Sequence, residues 1–167
     1  MRLNFPLTPM LLAAALACVG CGPPANFAGM YTIAATDGPN DCGFMGWTAG
    51  TMSSGTPVTI TQATGDPHAT MVVGGGAGVY LAVLAGTATI PGTVSGSSAD
   101  FPATGTAAGN MGACHYFINT DIRANLSGDT LTGTITLTPS TNHDASCGAL
   151  DTCHNTINFN GTRPPSM

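Results

Sequence analysis

The sequence contains no lysine and no glutamate, and only 7% of its residues are charged. An ordinary soluble domain carries about 25%. The strong cations are three arginines, Arg2, Arg123 and Arg163, and the formal net charge is −5. Nucleic-acid binding requires several cations that neutralise phosphates, so the composition excludes this class of partner. It also argues against a polybasic surface that would attach the protein to a membrane.

The scarcity of charge also argues against catalysis. General acid–base catalysis needs titratable groups that are tuned by burial or by neighbouring charges. Residues 143–146, His-Asp-Ala-Ser, contain the residue types of a catalytic triad. The Gly-x-Ser-x-Gly motif that presents a nucleophilic serine is missing, however. We therefore expect no enzymatic activity and no catalytic residues, with a small hydrolase as the least favoured alternative.

The apolar run near the N-terminus is too short to cross a membrane. It covers residues 10–17 and has eight residues, whereas a transmembrane helix needs about 20. Arg2 precedes it, and the small-residue segment Ala-Cys-Val-Gly-Cys covers 17–21. A short apolar run that ends in small residues is typical of a cleaved signal peptide.

Residues 16–21, Leu-Ala-Cys-Val-Gly-Cys, resemble the lipobox of bacterial lipoproteins, in which a cysteine becomes the lipidated N-terminus. Cys18 and Cys21 both fit, and we favour Cys21 because cleavage there leaves four further cysteines, an even number. The resemblance implies a signal peptide over 1–20 and a lipidated N-terminus with a tether over 21–26. The alternative is an ordinary secretory signal whose cysteines are incidental.

The lipobox also implies a location. A lipidated chain is attached to a membrane of the cell envelope through its N-terminal lipid. We favour the outer membrane, with the folded domain in the periplasm or at the cell surface.

Threonine and glycine take the place of the missing charges, with 25 threonines and 23 glycines. Threonine suits half-exposed strands, and glycine marks turns. Segments 114–126 and 130–139 alternate between two faces and flank Ser-Gly-Asp, which predicts a β-hairpin. The apolar run 79–85 follows the glycine-rich segment 74–78, which we interpret as a turn before a buried strand. Further strands are predicted at 27–35, 58–62, 69–73, 86–94, 99–101 and 156–160.

The strands are short and evenly spaced, and we predict no helix beyond one turn within the loop 140–154. The chain is therefore predicted to form one all-β domain over 27–162, followed by a tail over 163–167. Its architecture is an antiparallel up-and-down barrel or a sandwich of about seven to nine short strands. The Gly-Met-Tyr at 29–31 and the late Ser-Gly-Asp hairpin resemble small barrels of the lipocalin and avidin kind.

The four cysteines that follow the lipobox are expected to form two disulfides, because an exported protein is oxidised. Three pairings are possible in principle. We favour Cys147 with Cys153, which are close in sequence, and Cys42 with Cys114.

The rival interpretation of the cysteines is a metal site. Its ligands would come from Cys114-His115, His143-Asp144 and Cys153-His154. This spacing matches no zinc motif, and an oxidising compartment favours disulfides over thiolates. We therefore expect no metal and no cofactor.

These observations favour a non-enzymatic envelope lipoprotein that has a structural role or binds a partner. The alternative is a barrel that binds a small apolar ligand, as lipocalin-like folds do. The alternative predicts a cavity lined by Tyr80, Tyr116, Trp47 and Phe101. A core filled by side chains would favour the first hypothesis.

Overall fold

The structure, a computed structural model, describes residues 23–165. The predicted signal peptide and both candidate lipidation sites, Cys18 and Cys21, lie outside the described residues. Over the described range the chain forms nine strands, one α-helix and one 3-10 helix. In chain order they are β1 (Gly29–Asp37), β2 (Met52–Gln62), β3 (His68–Val73), α1 (Gly75–Ala85), β4 (Thr89–Ser95), β5 (Ser98–Ala103), β6 (Gly109–Met111), β7 (Cys114–Ser127), β8 (Thr130–Thr141), the 3-10 helix (Ala145–Asp151) and β9 (Asn155–Thr162).

The strands close into an antiparallel barrel. The order around the wall is β1-β2-β3-β4-β5-β7-β8-β9, with β9 pairing back onto β1 and β5 pairing with β7. The short β6 pairs with β7 beyond the end of β5. The prediction of an all-β antiparallel fold, either a barrel or a sandwich, is confirmed, and of the two architectures the chain forms the barrel. An eight-stranded closed barrel is consistent with the resemblance to lipocalin and avidin barrels.

The hairpin of β7 and β8 follows its sequence pattern. The two strands pair without a break from Tyr116–Thr141 to Ser127–Thr130. Ile122, Ala124 and Leu131 face inward and are buried, while the alternate positions of both strands are mostly threonine, asparagine and charged residues. A period of two residues places one set of side chains in the core and the other set on the outside.

One end of the barrel, which we call the turn end, is closed by packing. Its connections are short, at residues 63–67, 96–97 and 128–129. The N-terminal segment 23–28 crosses this end, and the Ala25 N–H donates to the Gly96 carbonyl at 2.7 Å, on the wall opposite β1. Phe27 in this segment is fully buried in the main core. The segment therefore acts as a plug.

Arg163, directly after β9, ties the turn end together. Its Nε donates to Asp129 Oδ1 at 3.0 Å, and Nη1 donates to the carbonyls of Asn26 at 2.9 Å and Ala28 at 2.7 Å. Its guanidinium also lies over the Tyr31 ring, 5.7 Å from the centroid. The side chain is 15% exposed, so these contacts are largely shielded from water.

The opposite end, the loop end, carries the long connections, at residues 38–51, 74–88, 104–113 and 142–154. Two disulfides, Cys42–Cys153 and Cys114–Cys147, cross-link it. With the buried Leu150 they form a small core separate from that of the barrel. Two disulfides were expected, but the predicted pairing was wrong. Closeness in sequence favoured Cys147 with Cys153, whereas the fold brings the start of β7 to the 3-10 helix and the 38–51 loop to the start of β9.

Helix α1 corrects a second prediction, since its residues were expected to form a turn and a strand. Leu81 and Ala85 are buried at helical spacing. Two other residues of the apolar run, Ala82 and Leu84, also favour helix. Gly86 ends the helix with φ of 71°, the left-handed conformation that glycine adopts readily. Gly78 is buried so closely that a Cβ there would lie 2.1 Å from the Val73 carbonyl oxygen. Over the described residues, no helix is long and apolar enough to cross a membrane.

Candidate functional site

The barrel interior contains a cavity of about 160 Å³ that reaches toward the loop end. Its wall is formed by inward-facing side chains of β1, β2, β3, β7, β8 and β9 together with one residue of α1. The apolar lining residues are Ile33, Ala35, Val58, Met71, Val73, Ala77, Ile122, Leu131, Ile135, Ile157 and Phe159. Phe27, Tyr31 and Phe101 are fully buried in the main core and do not line the cavity.

The cavity arises from where large and small side chains fall on the inner wall. Phe159 lies against the inner wall at Gly133, where a Cβ would come within 2.6 Å of the ring. Glycine thus lets the phenyl group occupy the wall rather than the centre of the barrel. At the loop end, Ala35 of β1 and Ala77 of α1 are too small to fill the space that remains. The interior is therefore filled at the turn end and hollow toward the loop end.

Three polar side chains line the cavity, Asp37, Ser53 and Thr56. Asp37 is the last residue of β1 and continues the inward series of Tyr31, Ile33 and Ala35. Ser53 pairs with Ala35, and Thr56 pairs with Ile33 on the neighbouring strand. All three lie toward the loop end, so an apolar cavity has a polar rim on one side.

The aromatic residues predicted to line a cavity do not do so. Tyr80 is 60% exposed on α1, and Phe101 is fully buried in the main core beside the cavity-lining Ile122. Tyr116 packs against the disulfide core. Trp47 lies in the 38–51 loop, where its Nε1 donates to the Gly38 carbonyl at 2.9 Å. The lining is aliphatic instead, apart from Phe159.

Helix α1 lies beside the cavity and presents an apolar surface to solvent. Val79, Tyr80 and Val83 are each at least 60% exposed, and Ala77 contributes to the cavity lining. Leu84 accepts hydrogen bonds from the backbone of Thr106 and Ala107, which fixes the end of the helix against the 104–113 connection. The rim of the cavity on this side is therefore a short helix held at its C-terminus.

The residues of the hydrolase hypothesis are not arranged as a triad. Ser146 Oγ donates to Asp144 at 2.7 Å, and the Ser146 N–H donates to the same oxygen at 2.9 Å. These two hydrogen bonds hold the pKa of Asp144 below its usual value. His143 contacts Asp151 instead, at 3.2 Å, and its side chain is 81% exposed. Asp144 therefore caps the 3-10 helix and does not orient a histidine toward Ser146.

The metal hypothesis loses its thiolate ligands, because all four cysteines between 23 and 165 are bonded in disulfides. Within that range no group of three or more histidine, cysteine or acidic side chains converges in a way that could hold a metal ion. The histidines next to Cys114 and Cys153 are both exposed.

A small acidic cluster lies on the outer wall, away from the cavity. Arg123 Nε lies 3.0 Å from Asp121 and 3.8 Å from Asp100. A hydrogen bond shared with the Asp121 carboxyl, aided by burial, raises the pKa of Asp100. The side chain of Arg123 is 71% exposed, and those of Asp100 and Asp121 are 50% and 35% exposed, on paired strands β5 and β7. We interpret the three as a surface network.

Comparisons with protein-family models, with curated proteins and with solved structures find no match to this chain. The cavity and its rim are therefore the features from which a function can be argued.

Proposed function

We propose that this protein is a non-enzymatic binding module whose barrel takes up a small apolar ligand, presented from a membrane by a lipidated N-terminus. The single observation that carries the proposal is the hollow, aliphatic interior at the loop end. A core filled by side chains would have favoured a structural or partner-binding role. The cavity supports the ligand-binding alternative instead.

The size of the cavity limits the ligand. Drug-sized ligands occupy pockets of about 300–1,000 Å³. A cavity of about 150 Å³ with an aliphatic and aromatic lining binds benzene, and the cavity here is of similar size. The ligand class is therefore a molecule with an apolar part about as large as one benzene ring. The apolar part gains about 25 cal/mol for each Å² that it removes from water.

The position of the N-terminal segment supports an orientation of the barrel relative to the membrane. Residues 23–28 lie across the turn end, and Cys21 precedes them by two residues. A lipid on Cys21 would hold the turn end near the membrane and direct the loop end, with its cavity, away from it. We retain Cys18 as the alternative site of lipidation and the outer membrane as the favoured location.

Binding can be tested by titrating the full chain with toluene and following methyl signals by NMR. We expect shifts in the methyl groups of Ile33, Val58 and Ile135. Ile135→Trp fills the cavity and should abolish binding. Thr132→Trp places the same side chain on the outer face of β8 and should leave binding intact. Binding that is unchanged in the Ile135 variant would rule out the cavity as the site.

Anchoring is tested separately by mass spectrometry of the N-terminal peptide from the exported protein. We expect a lipidated Cys21, and Cys21→Ser should release the protein from membranes. An unmodified N-terminus elsewhere would refute the anchor without affecting the ligand-binding proposal.

A further inference from the structure

The polar rim of the cavity contains one carboxylate that the rest of the structure leaves without a partner. Asp37 lines the cavity beside aliphatic side chains of β1 and β9. Within residues 23–165, no hydrogen bond or ion pair engages its side chain. Asp41 is the other aspartate of that range with neither a hydrogen bond nor an ion pair on its side chain, and it is exposed in the 38–51 loop. Five of the other aspartates in that range have close partners, namely Asp66 (the His68 N–H), Asp121 (Arg123), Asp129 (Arg163), Asp144 (Ser146) and Asp151 (Thr141 and His143). Asp100, on the outer wall away from the cavity, lies 3.8 Å from Arg123, and its Oδ1 accepts no hydrogen bond.

Hydrogen bonds on both sides fix the main chain at Asp37. The Asp37 N–H donates to the Thr51 carbonyl at 2.9 Å, and its own carbonyl accepts from the Gly50 N–H at 2.8 Å. On its other side Asp37 pairs with Ile157 of β9. The side chain therefore projects from a paired strand end, and its inward direction is set by the alternation of β1.

Both arginines of the described residues pair with aspartates other than Asp37. Arg123 lies on the outer wall with Asp121, and Arg163 is engaged at the turn end. No arginine in the part of the chain that the structure describes can neutralise Asp37. A carboxylate accepts hydrogen bonds and cannot donate them, and a ligand that covers it must replace the water it loses.

On these grounds, and resting on the proposed function, we propose that the ligand carries a cationic amine that binds Asp37 while its apolar part fills the barrel. An N⁺–H donor forms a charge-assisted hydrogen bond with a carboxylate, which is about twice as strong as a neutral one. Ser53 and Thr56 supply hydroxyl oxygens that accept the remaining N–H groups. An anionic amphiphile such as a short fatty acid would instead place like charges together.

Three ligands with one benzene ring separate the alternatives: benzylamine, benzyl alcohol and benzoate. Calorimetry on the full chain should show benzylamine binding about tenfold more tightly than benzyl alcohol, with benzoate the weakest. Asp37→Asn should remove the preference, so that benzylamine binds no more tightly than benzyl alcohol in this variant. Asp41→Asn removes the same charge from an exposed position at the same end and should preserve the preference.

The outcomes distinguish the two proposals. Equal affinities for benzylamine and benzyl alcohol in the native protein would overturn the amine preference while leaving the ligand-binding function in place. Tightest binding of benzoate would overturn it as well. Absence of binding by all three, together with absence of toluene binding, would refute both proposals.

Discussion

The two ends of the barrel are held by different means. The turn end has short connections and is closed by Phe27 and by the contacts of Arg163, all continuous with the main core. The loop end has four long connections, two disulfides and a small core of its own around Leu150. The cavity opens toward the end that is cross-linked covalently. The comparison indicates that disulfides replace, at the loop end, the packing that the hollow interior does not provide.

The largest effect should come from removing the disulfide with the longer span. Cys42–Cys153 joins residues 111 apart, and Cys114–Cys147 joins residues 33 apart. The chain-entropy relation gives about 5 and about 4 kcal/mol of stability respectively. We expect denaturant unfolding of the two double-alanine variants to follow this order. An equal or reversed order would show that the loop end does not depend on loop closure in the way proposed.

At the turn end, Phe27→Ala should cost about 4 kcal/mol in the free energy of unfolding, because it leaves a cavity in a filled core. Phe44→Ala is the matched change at the loop end, where the ring is only partly buried against the disulfide core. Its cost should be less than half as large. If both substitutions cost the same, the two ends do not differ in how much they rely on packing.

A smaller loss of stability is expected when Arg163, which links several segments at the turn end, is replaced. Arg163→Met removes the partner of Asp129 and leaves the carbonyls of Asn26 and Ala28 without their donor. We expect a loss of about 2 kcal/mol, since this group is mostly shielded from water. Arg123→Met, on the exposed outer wall, should change stability by less than about 0.5 kcal/mol. Thermal unfolding of the two variants provides the comparison, and a larger loss for the Arg123 variant would contradict it.

The smallest effects on stability should be those of pH. Raising the pH should destabilise one end of the barrel, and lowering it should destabilise the other. Burial, partly opposed by Arg163, raises the pKa of Tyr31 above 10.0, so its contribution to stability is complete below pH 10 and is lost as pH rises through the folded value. The pKa of Asp144 is lowered from 3.8, so its contribution is complete above that pH and is lost as pH falls through the folded value.

Alkali should thus weaken the turn end and acid the loop end. Absorbance of tyrosinate should show a late titrating component that Tyr31→Phe removes. Asp144→Asn should flatten the acid limb of the stability curve. A late component that persists without Tyr31 would contradict this assignment.

The strand pattern was predictable because most strands alternate in residue type. The β7–β8 hairpin shows this best, since Leu131 and Ile122 face inward as their spacing requires. Helix α1 was missed because a continuous apolar run carries no period by itself. The helical signals in the sequence were the alanines and leucines of the run and the glycine that follows it.

The cavity could not be predicted, because alternation tells which side chains face inward but not whether they fill the space. That depends on barrel size and on the position of Phe159 against Gly133. The first strand was predicted to end at residue 35, so Asp37 fell outside it. Extending the alternation of Tyr31, Ile33 and Ala35 by one step would have placed it on the inner face.

The path of the chain through the turn end has a mechanical consequence. The described chain enters β1 and leaves β9 at the same end, and these two strands are antiparallel neighbours joined over six residue pairs. A force that pulls residues 23 and 165 apart would first load the hydrogen bond of Ala25 with Gly96, the packing of Phe27 and the contacts of Arg163 at the turn end. The force would then separate β1 from β9 one residue pair at a time, beginning with the pair Thr32 and Thr162. Pulling from opposite ends of two neighbouring strands would instead load all their pairs in shear, so resistance to force should depend strongly on the points of attachment.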